Sequence, residues 1–116
     1  MIARIWRGVT RAEHAEVYMD YLEATGLKDY RATPGFGGLQ VLRRVAEGKA
    51  EFVLITFWES WDAIRAFAGD DPETSVYYPE DDQYLLEKEP HVTHYEVPVR
   101  EKPDRDKPEG PSLSLA

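Results

Sequence analysis

Cysteine is absent from this sequence, which excludes a disulfide framework and thiol chemistry. A long apolar run is missing at the start, because residues 1–7 already include Arg4 and Arg7, and we expect neither a signal peptide nor a membrane-spanning helix. The sequence also lacks a P-loop, a dinucleotide fingerprint and a nucleophile elbow. These absences favour a protein of a reducing compartment, and we expect it in the cytoplasm.

Basic side chains are scarce. There are 14 Lys and Arg residues against 22 Asp and Glu residues, for a formal net charge of -8. Because phosphate groups are bound by concentrated basic surfaces, this balance argues against nucleic acid and against an anionic membrane surface as partners. Metal-ligand patterns are missing as well, since His91 and His94 are three apart on a predicted strand and point to opposite faces. We therefore expect no metal and no cofactor.

The chain has the length of one domain, with 116 residues of which 42% are hydrophobic and 12% aromatic. After Pro98 the composition changes, because proline, glycine and charged residues alternate. Such a segment cannot bury enough apolar surface to fold. We predict a folded domain at residues 1–98 and a disordered tail at 99–116.

Hydrophobic periodicity predicts the element order β-α-β-β-α-β within the folded domain. Thr10 and Glu13 form a capping box at the start of the first helix, Gly26 ends that helix, and Ser60 caps the second. This order is that of a ferredoxin-like α+β fold, with a four-stranded antiparallel sheet and helices on one face. The strands are predicted at 2–9, 39–45, 51–59 and 91–97, and the helices at 10–25 and 60–69.

The third predicted strand is apolar on both faces. Helices can cover only one of them, and the other would expose a larger apolar patch than monomers usually tolerate. Each large side chain left in water would forgo roughly 1.5–3 kcal/mol. A second copy packed sheet against sheet would cover the patch, so we expect a homodimer, with the tail or a long loop as the alternative cover. One face carries Phe52, Leu54, Thr56 and Trp58, and the other carries Val53, Ile55 and Phe57.

Three runs of residues resemble the antibiotic biosynthesis monooxygenase domain family. They are PGFGGLQVLR at 34–43, FVLITFWES at 52–60, and residues 63–67. The resemblance covers about residues 1–98 and implies a dimeric α+β barrel with a pocket in each subunit between the sheet and its helices. Members of the family include cofactor-free monooxygenases acting on polycyclic phenols or quinols, and haem-degrading enzymes.

The haem-degrading branch of that family can be compared residue by residue. An ungapped comparison places its Asn, Trp and His at Arg7, Phe67 and Tyr77 of this sequence. All three residues differ, and the loss of the His removes the expected axial iron ligand. The resemblance therefore does not extend to haem breakdown by that mechanism.

Arg7 is the first candidate for a functional role. It shares strand parity with Ala3, Ile5 and Val9, the face that we expect under the helices. A buried guanidinium needs a partner. Arg7 is therefore either one half of an ion pair with a helix carboxylate or an anchor for a phenolate, enolate or carboxylate ligand; if the strand parity is the opposite one, Arg7 is simply exposed.

An aromatic cluster is predicted near the end of the third strand and in the helices that follow; its members are Trp58, Trp61, Phe67, Tyr77 and Tyr78. These side chains either form part of the core or stack against a flat substrate, to which Tyr77 or Tyr78 could donate a hydrogen bond. His94 is either a general base or an ordinary surface histidine. The function that we predict is a cofactor-independent monooxygenase or oxidase of a small phenol- or quinol-type aromatic; the alternatives are a non-catalytic binding protein and a structural dimer whose pocket its own side chains fill. The catalytic candidates are Arg7, His94 and Tyr77, and the substrate-binding candidates are Trp58, Trp61, Phe67, Tyr78 and Tyr18.

Overall fold

One antiparallel sheet organises the computed structural model, which describes residues 1–101 and 103. Within these residues the strand order is β2-β3-β1, and both β4 and β5 pair with the remaining edge of β1. This is the predicted ferredoxin-like arrangement, so the α+β fold class is confirmed. The predicted tail lies almost entirely outside the described residues. The strands are β1 (Ile2–Arg11), β2 (Phe36–Ala46), β3 (Lys49–Trp58), β4 (Leu85–Lys88) and β5 (Thr93–Glu96).

The helices pack on one face of this sheet. They are α1 (Ala15–Ala24), α2 (Gly26–Ala32), α3 (Trp61–Ala68) and α4 (Asp81–Tyr84). None of these helices has the length and apolar character needed to cross a membrane, a statement that covers the described residues alone.

The start of α3 agrees with the prediction. The Ser60 hydroxyl accepts a 3.1 Å hydrogen bond from the backbone N–H of Ala63, which satisfies one of the unpaired donors of the first turn. Gly69 follows the helix with φ of 87°, a conformation that favours glycine.

The start of the first helix was predicted wrongly. Thr10 belongs to β1, where it pairs with Ala50, and its hydroxyl donates to the Arg11 carbonyl (2.9 Å) rather than capping a helix. The ladder with β3 continues to Arg11, so the chain stays extended longer than the capping pattern suggests. Gly26 does not end the helical region either, because it is the first residue of α2.

The last strand also differs from the prediction. The segment expected to form one strand at 91–97 is preceded by a separate strand, so the described sheet has five strands rather than four. β4 pairs with Gly8–Thr10 and β5 with Ile2–Ile5. Pro90, which lacks a backbone N–H, lies between the two strands and cannot continue the ladder.

The two faces of β1 are reversed relative to the prediction. Residues that pair across an antiparallel ladder share a face, and Trp6 pairs with Leu54, both buried. Arg4 has the same parity and is only 2% exposed, whereas Arg7 pairs with Val53 on the other side. The expectation that Arg7 lies under the helices is therefore wrong. Trp6 gains more by burial than any other side chain of β1, and its parity brings Arg4 inward with it.

We call the other side of the sheet the open face, since the described helices all pack against the opposite side. Leu42 and Tyr95 on this face are 50% and 56% exposed, and Val53 and Ile55 are half-buried. The predicted apolar character of this surface is thus present in the described chain.

Candidate functional site

A small cavity lies between the helix-facing side of the sheet and helices α1 and α2. Its volume, measured as the space open to the centre of a water-sized sphere, is about 20 Å³, enough for one water molecule. We call this space the cavity. The residues on its wall that matter for chemistry are Arg4, Trp6, Tyr18, Tyr30, Tyr78 and Asp81.

Arg4 brings a positive charge to the cavity. The only described hydrogen bond of its guanidinium runs from an Nη to the Thr74 carbonyl (3.0 Å), and its Nε has no partner among the described residues. The guanidinium carbon lies 5.6 Å from the ring centroid of Phe67. No described carboxylate reaches ion-pair distance, and burial lowers the pKa of Arg4. A buried charge without an opposite charge is costly, and an anion in the cavity would supply one.

Asp81 brings a carboxylate to the same cavity. It is 4% exposed, and its Oδ1 accepts a 2.9 Å hydrogen bond from the Tyr18 hydroxyl. Its Oδ2 accepts a 2.7 Å bond from the backbone N–H of Tyr78. Burial and the neighbouring Asp81 charge raise the pKa of Tyr18, which therefore remains a hydrogen-bond donor. Each carboxylate oxygen has a further lone pair available to a ligand.

Tyr78 connects the segment between α3 and α4 to α2. Its hydroxyl donates a 2.5 Å hydrogen bond to Oδ2 of Asp29. Burial raises the pKa of Tyr78, and the bond to the Asp29 carboxylate adds to that rise. The side chain is part of the cavity wall, so any enlargement of the cavity on this side requires the bond to break or move.

Of the residues predicted from the sequence, the structure brings Tyr18 and Tyr78 to the cavity. Trp58 and Phe67 lie behind its wall, with their rings stacked at a centroid distance of 5.8 Å. Trp58 is fully buried and its Nε1 donates to the Thr56 hydroxyl (2.8 Å), as expected for a core residue.

Arg7 lies outside the cavity, on the open face. Its Nε is 2.6 Å from a carboxylate oxygen of Glu51, and one Nη is 3.1 Å from Glu87 and 3.2 Å from Glu89. The bond to Glu51 and then that to Glu87 raise the pKa of Arg7. Arg7 therefore has carboxylate partners, whereas Arg4 has none among the described residues.

Tyr77, Trp61 and His94 do not line the cavity. The Tyr77 hydroxyl donates to the Glu89 carbonyl and accepts from Nε1 of Trp6 (3.3 Å). Trp61 is 42% exposed, and its ring centroid lies 4.8 Å from that of His94. Burial, and then the positive charge of Arg4, lower the pKa of His94. His94 pairs with Arg4 across the β1–β5 ladder and so shares its face.

The sequence analysis missed Arg4, Trp6, Tyr30 and Asp81. The signal for the first two was the size of Trp6, which favours burial over Ile5 and sets the parity of β1. Asp81 stands at the start of α4, where an acidic side chain is usually exposed. Its burial depends on hydrogen bonds from the Tyr18 hydroxyl, which is distant in sequence, and from the Tyr78 backbone N–H.

A haem group does not fit this cavity. No histidine of the described chain lines it, so its wall does not offer the imidazole ligand that a haem iron would need. The positions compared with the haem-degrading branch are also engaged: Phe67 stacks on Trp58, and Tyr77 bonds to Trp6.

The fold is that of antibiotic biosynthesis monooxygenase-type proteins, as the sequence resemblance implied. No protein-family model matches the chain, and no curated protein does so either. Among solved structures it is similar to a Bacillus cereus protein proposed to be an antibiotic biosynthesis monooxygenase, with a TM-score of 0.57 and 20% identity over 88% of this chain and 97% of that one.

Two further similar structures are of MhuD. One is a variant with two manganese protoporphyrin IX molecules per active site, with a TM-score of 0.56 and 20% identity over 89% of this chain and all of that one (100%). The other is the heme-degrader MhuD of Mycobacterium tuberculosis with two hemes in its active site. Its TM-score is 0.54, with 21% identity over 88% of this chain and 100% of that one. At these identities the likeness shows the fold.

Proposed function

We propose that this chain binds a small aromatic compound with an ionisable hydroxyl, of the phenol or quinol type, in the cavity and oxidises it with O₂ without a cofactor. The observation that carries the proposal is the buried guanidinium of Arg4. It faces an aromatic-walled cavity and lacks an ion-pair partner among the described residues. Solved structures of the same fold add support, one of them of a protein proposed to be an antibiotic biosynthesis monooxygenase.

Arg4 takes the role that the sequence suggested for Arg7. An anionic oxygen bound beside Arg4 would pair with its buried positive charge and so offset the cost of removing that charge from water. Fixed positive charge in a site that excludes water also stabilises an anion that forms during a reaction. Arg7 cannot do this from the open face, where three carboxylates already surround it.

The oxidation requires O₂ as the oxidant. For a phenol whose keto form contains a CH₂ group, Asp81 is the cavity carboxylate that can accept the first proton. The carbanion then forms a bond with one oxygen atom of O₂. The second oxygen atom leaves as water with the two substrate hydrogens, so the CH₂ group becomes a carbonyl and O₂ gains four electrons.

A second candidate function is favoured by the size of the cavity. A space of about 20 Å³ is far smaller than an aromatic ring, so the chain as described fills most of the pocket with its own side chains. Substrate entry therefore needs a movement of the wall, and Tyr78 is held there by one side-chain bond to Asp29. A protein of the same fold without catalysis, which binds a small molecule or acts only as a dimer, is consistent with this volume.

We also propose that the chain forms a homodimer through the open face, with a second copy as the occupant. Leu42 is 50% exposed there and Tyr95 is 56% exposed. They lie on the same face as the half-buried Val53, Ile55 and Phe57. An isologous pairing would bury the same apolar patch on both copies. At the charged end of this face, Arg7 neutralises part of the charge of Glu51, Glu87 and Glu89. The cytoplasmic location stays a prediction.

Oxygen consumption separates these candidates. We would measure uptake with a panel of anthrones and quinols for the wild type, Arg4→Gln and Arg7→Gln, the last being a matched control on the opposite face of the same strand. We expect uptake above the blank for the wild type and Arg7→Gln, and a loss of about tenfold or more for folded Arg4→Gln. Binding without uptake would favour the non-catalytic candidate. Full activity in Arg4→Gln would overturn the proposal.

A further inference from the structure

Tyr30 is a second polar group of the cavity that the sequence did not indicate. It is 7% exposed, and its ring packs against Phe67 at a centroid distance of 4.6 Å and against Trp58 at 6.1 Å. These contacts fix the ring, so the hydroxyl has a defined position. A Cβ atom added to Gly26, another residue of the cavity wall, would lie 3.7 Å from this hydroxyl oxygen.

The Tyr30 hydroxyl is available to a ligand. Among the described residues it makes no hydrogen bond, whereas the hydroxyls of Tyr18 and Tyr78 are bonded to Asp81 and Asp29. Burial raises the pKa of Tyr30 to about 12, against the opposing effect of the Arg4 charge. Tyr30 is therefore protonated near neutral pH and can donate. The Nε–H of Arg4 likewise has no hydrogen-bond acceptor among the described residues.

The cavity thus contains two kinds of polar group. Arg4 and Tyr30 offer donors that have no acceptor among the described residues, and Asp81 offers carboxylate lone pairs beyond those used by Tyr18 and the Tyr78 backbone. A ligand with only an acidic oxygen would accept hydrogen bonds from the donors, but it would donate none to the Asp81 carboxylate. A ligand that also carries a hydrogen donor would satisfy both.

We propose that Arg4 and the Tyr30 hydroxyl together bind one ionised oxygen of the ligand, while Asp81 accepts a hydrogen bond from a second hydroxyl of the same molecule. This rests on the proposed function and narrows it to compact aromatics with two hydroxyl groups. Tyr30 and Asp81 are then residues that determine specificity, because a site built to pair with a hydroxyl discriminates against an analogue that lacks it.

The test is calorimetric binding of three matched compounds without O₂, which keeps turnover out of the measurement. The compounds are hydroquinone, 4-methoxyphenol and 1,4-dimethoxybenzene, which carry two, one and no hydroxyls on rings of the same kind. We expect each methylation to weaken binding to the wild type about tenfold or more, as for the loss of a hydrogen bond to a charged group.

Variants assign the two contacts. Tyr30→Phe should weaken both hydroxyl-bearing compounds about tenfold, and Asp81→Asn should reduce the preference for hydroquinone over 4-methoxyphenol. Tyr95→Phe, on the open face, is the control and should bind as the wild type does. If Asp81→Asn does not fold, Tyr30→Phe and the methylation series still decide.

The failures can be told apart. If the wild type binds none of the three compounds, the proposed function fails for this ligand class and the inference fails with it. If hydroquinone binds, Arg4→Gln abolishes that binding and 1,4-dimethoxybenzene does not bind, while 4-methoxyphenol binds as tightly as hydroquinone and Tyr30→Phe changes nothing, the proposed function stands and the inference is overturned.

Discussion

The Tyr18 hydroxyl donates a 2.9 Å hydrogen bond to Oδ1 of Asp81, which ties α1 to the start of α4 inside the protein. Both side chains are nearly fully buried, at 1% and 4% exposure. A helix of one turn has little stability of its own, so its position depends on contacts of this kind. The wall of the cavity on this side is therefore held by a polar contact as well as by apolar packing.

Removal of this bond is expected to destabilise the fold. Tyr18→Phe keeps the ring and leaves a buried carboxylate oxygen without its donor, which costs about 1–3 kcal/mol. Denaturant unfolding measures the loss, with Tyr95→Phe as an exposed control that should match the wild type. An unchanged midpoint for Tyr18→Phe would contradict the role assigned to the pair.

The buried tyrosines predict a loss of stability at alkaline pH. Burial raises the pKa of Tyr30 to about 12, above the value near 10 of an unfolded tyrosine. The folded state thus favours the protonated form of Tyr30. The resulting contribution to the free energy of unfolding is fully present below about pH 10 and is lost as the pH rises towards 12. Two pKa units correspond to about 2–3 kcal/mol.

Unfolding free energies measured at about pH 9 and at about pH 11.5 check this prediction. The decrease between them should be smaller in Tyr30→Phe than in the wild type, because that variant has one fewer group to titrate. Equal decreases in both proteins would show that Tyr30 ionises as freely in the folded state as in the unfolded one.

Gly8 is expected to be needed for the position of the Trp6 ring. A Cβ atom at Gly8 would lie 2.2 Å from Cη2 of Trp6, so Gly8→Ala must displace the ring. Overpacking of this kind costs about 1–3 kcal/mol. Gly26→Ala is the matched control, because its Cβ would meet only ordinary contacts at 3.7 Å and beyond. Thermal unfolding should separate the two variants, and equal stability would contradict the close approach of Trp6 to Gly8.

The sheet and α3 could be predicted because their signals are local. The hairpin turn between β2 and β3 has positive φ at Glu47 and at Gly48, of which the glycine favours that conformation, and Ser60 caps the helix that follows β3. The apolar character of β3 on both faces is likewise a local pattern, and it leads directly to the open face.

The contents of the cavity could not be predicted in the same way. β3 is apolar on both sides, so it gives no information on which face of β1 turns inward. That choice decides whether Arg4 or Arg7 is buried, and it depends on how Trp6 packs against helices distant in sequence. Asp81 is also decided at long range, since an acidic residue at a helix start is exposed unless donors such as Tyr18 surround it.

We expect the protein to self-associate through the open face, and we expect one charged residue introduced on that face to prevent it. Ile55 lies at its centre, paired with Ile5 on β1 and Gln40 on β2, and a Glu at this position would bury a charge in any sheet-to-sheet contact. We expect the wild type to sediment as a dimer at micromolar concentration and Ile55→Glu to sediment as a monomer.

The control for this experiment is Val17→Glu, which places the same charge at a 44% exposed position on α1, away from the open face, and should remain dimeric. Leu42→Glu tests the same surface with less risk to folding, because Leu42 is 50% exposed on the edge strand β2, and it should also dissociate the dimer. A well-folded wild-type monomer at this concentration would refute the dimer. The apolar residues of the open face would then have to be tolerated in water or covered by the chain itself.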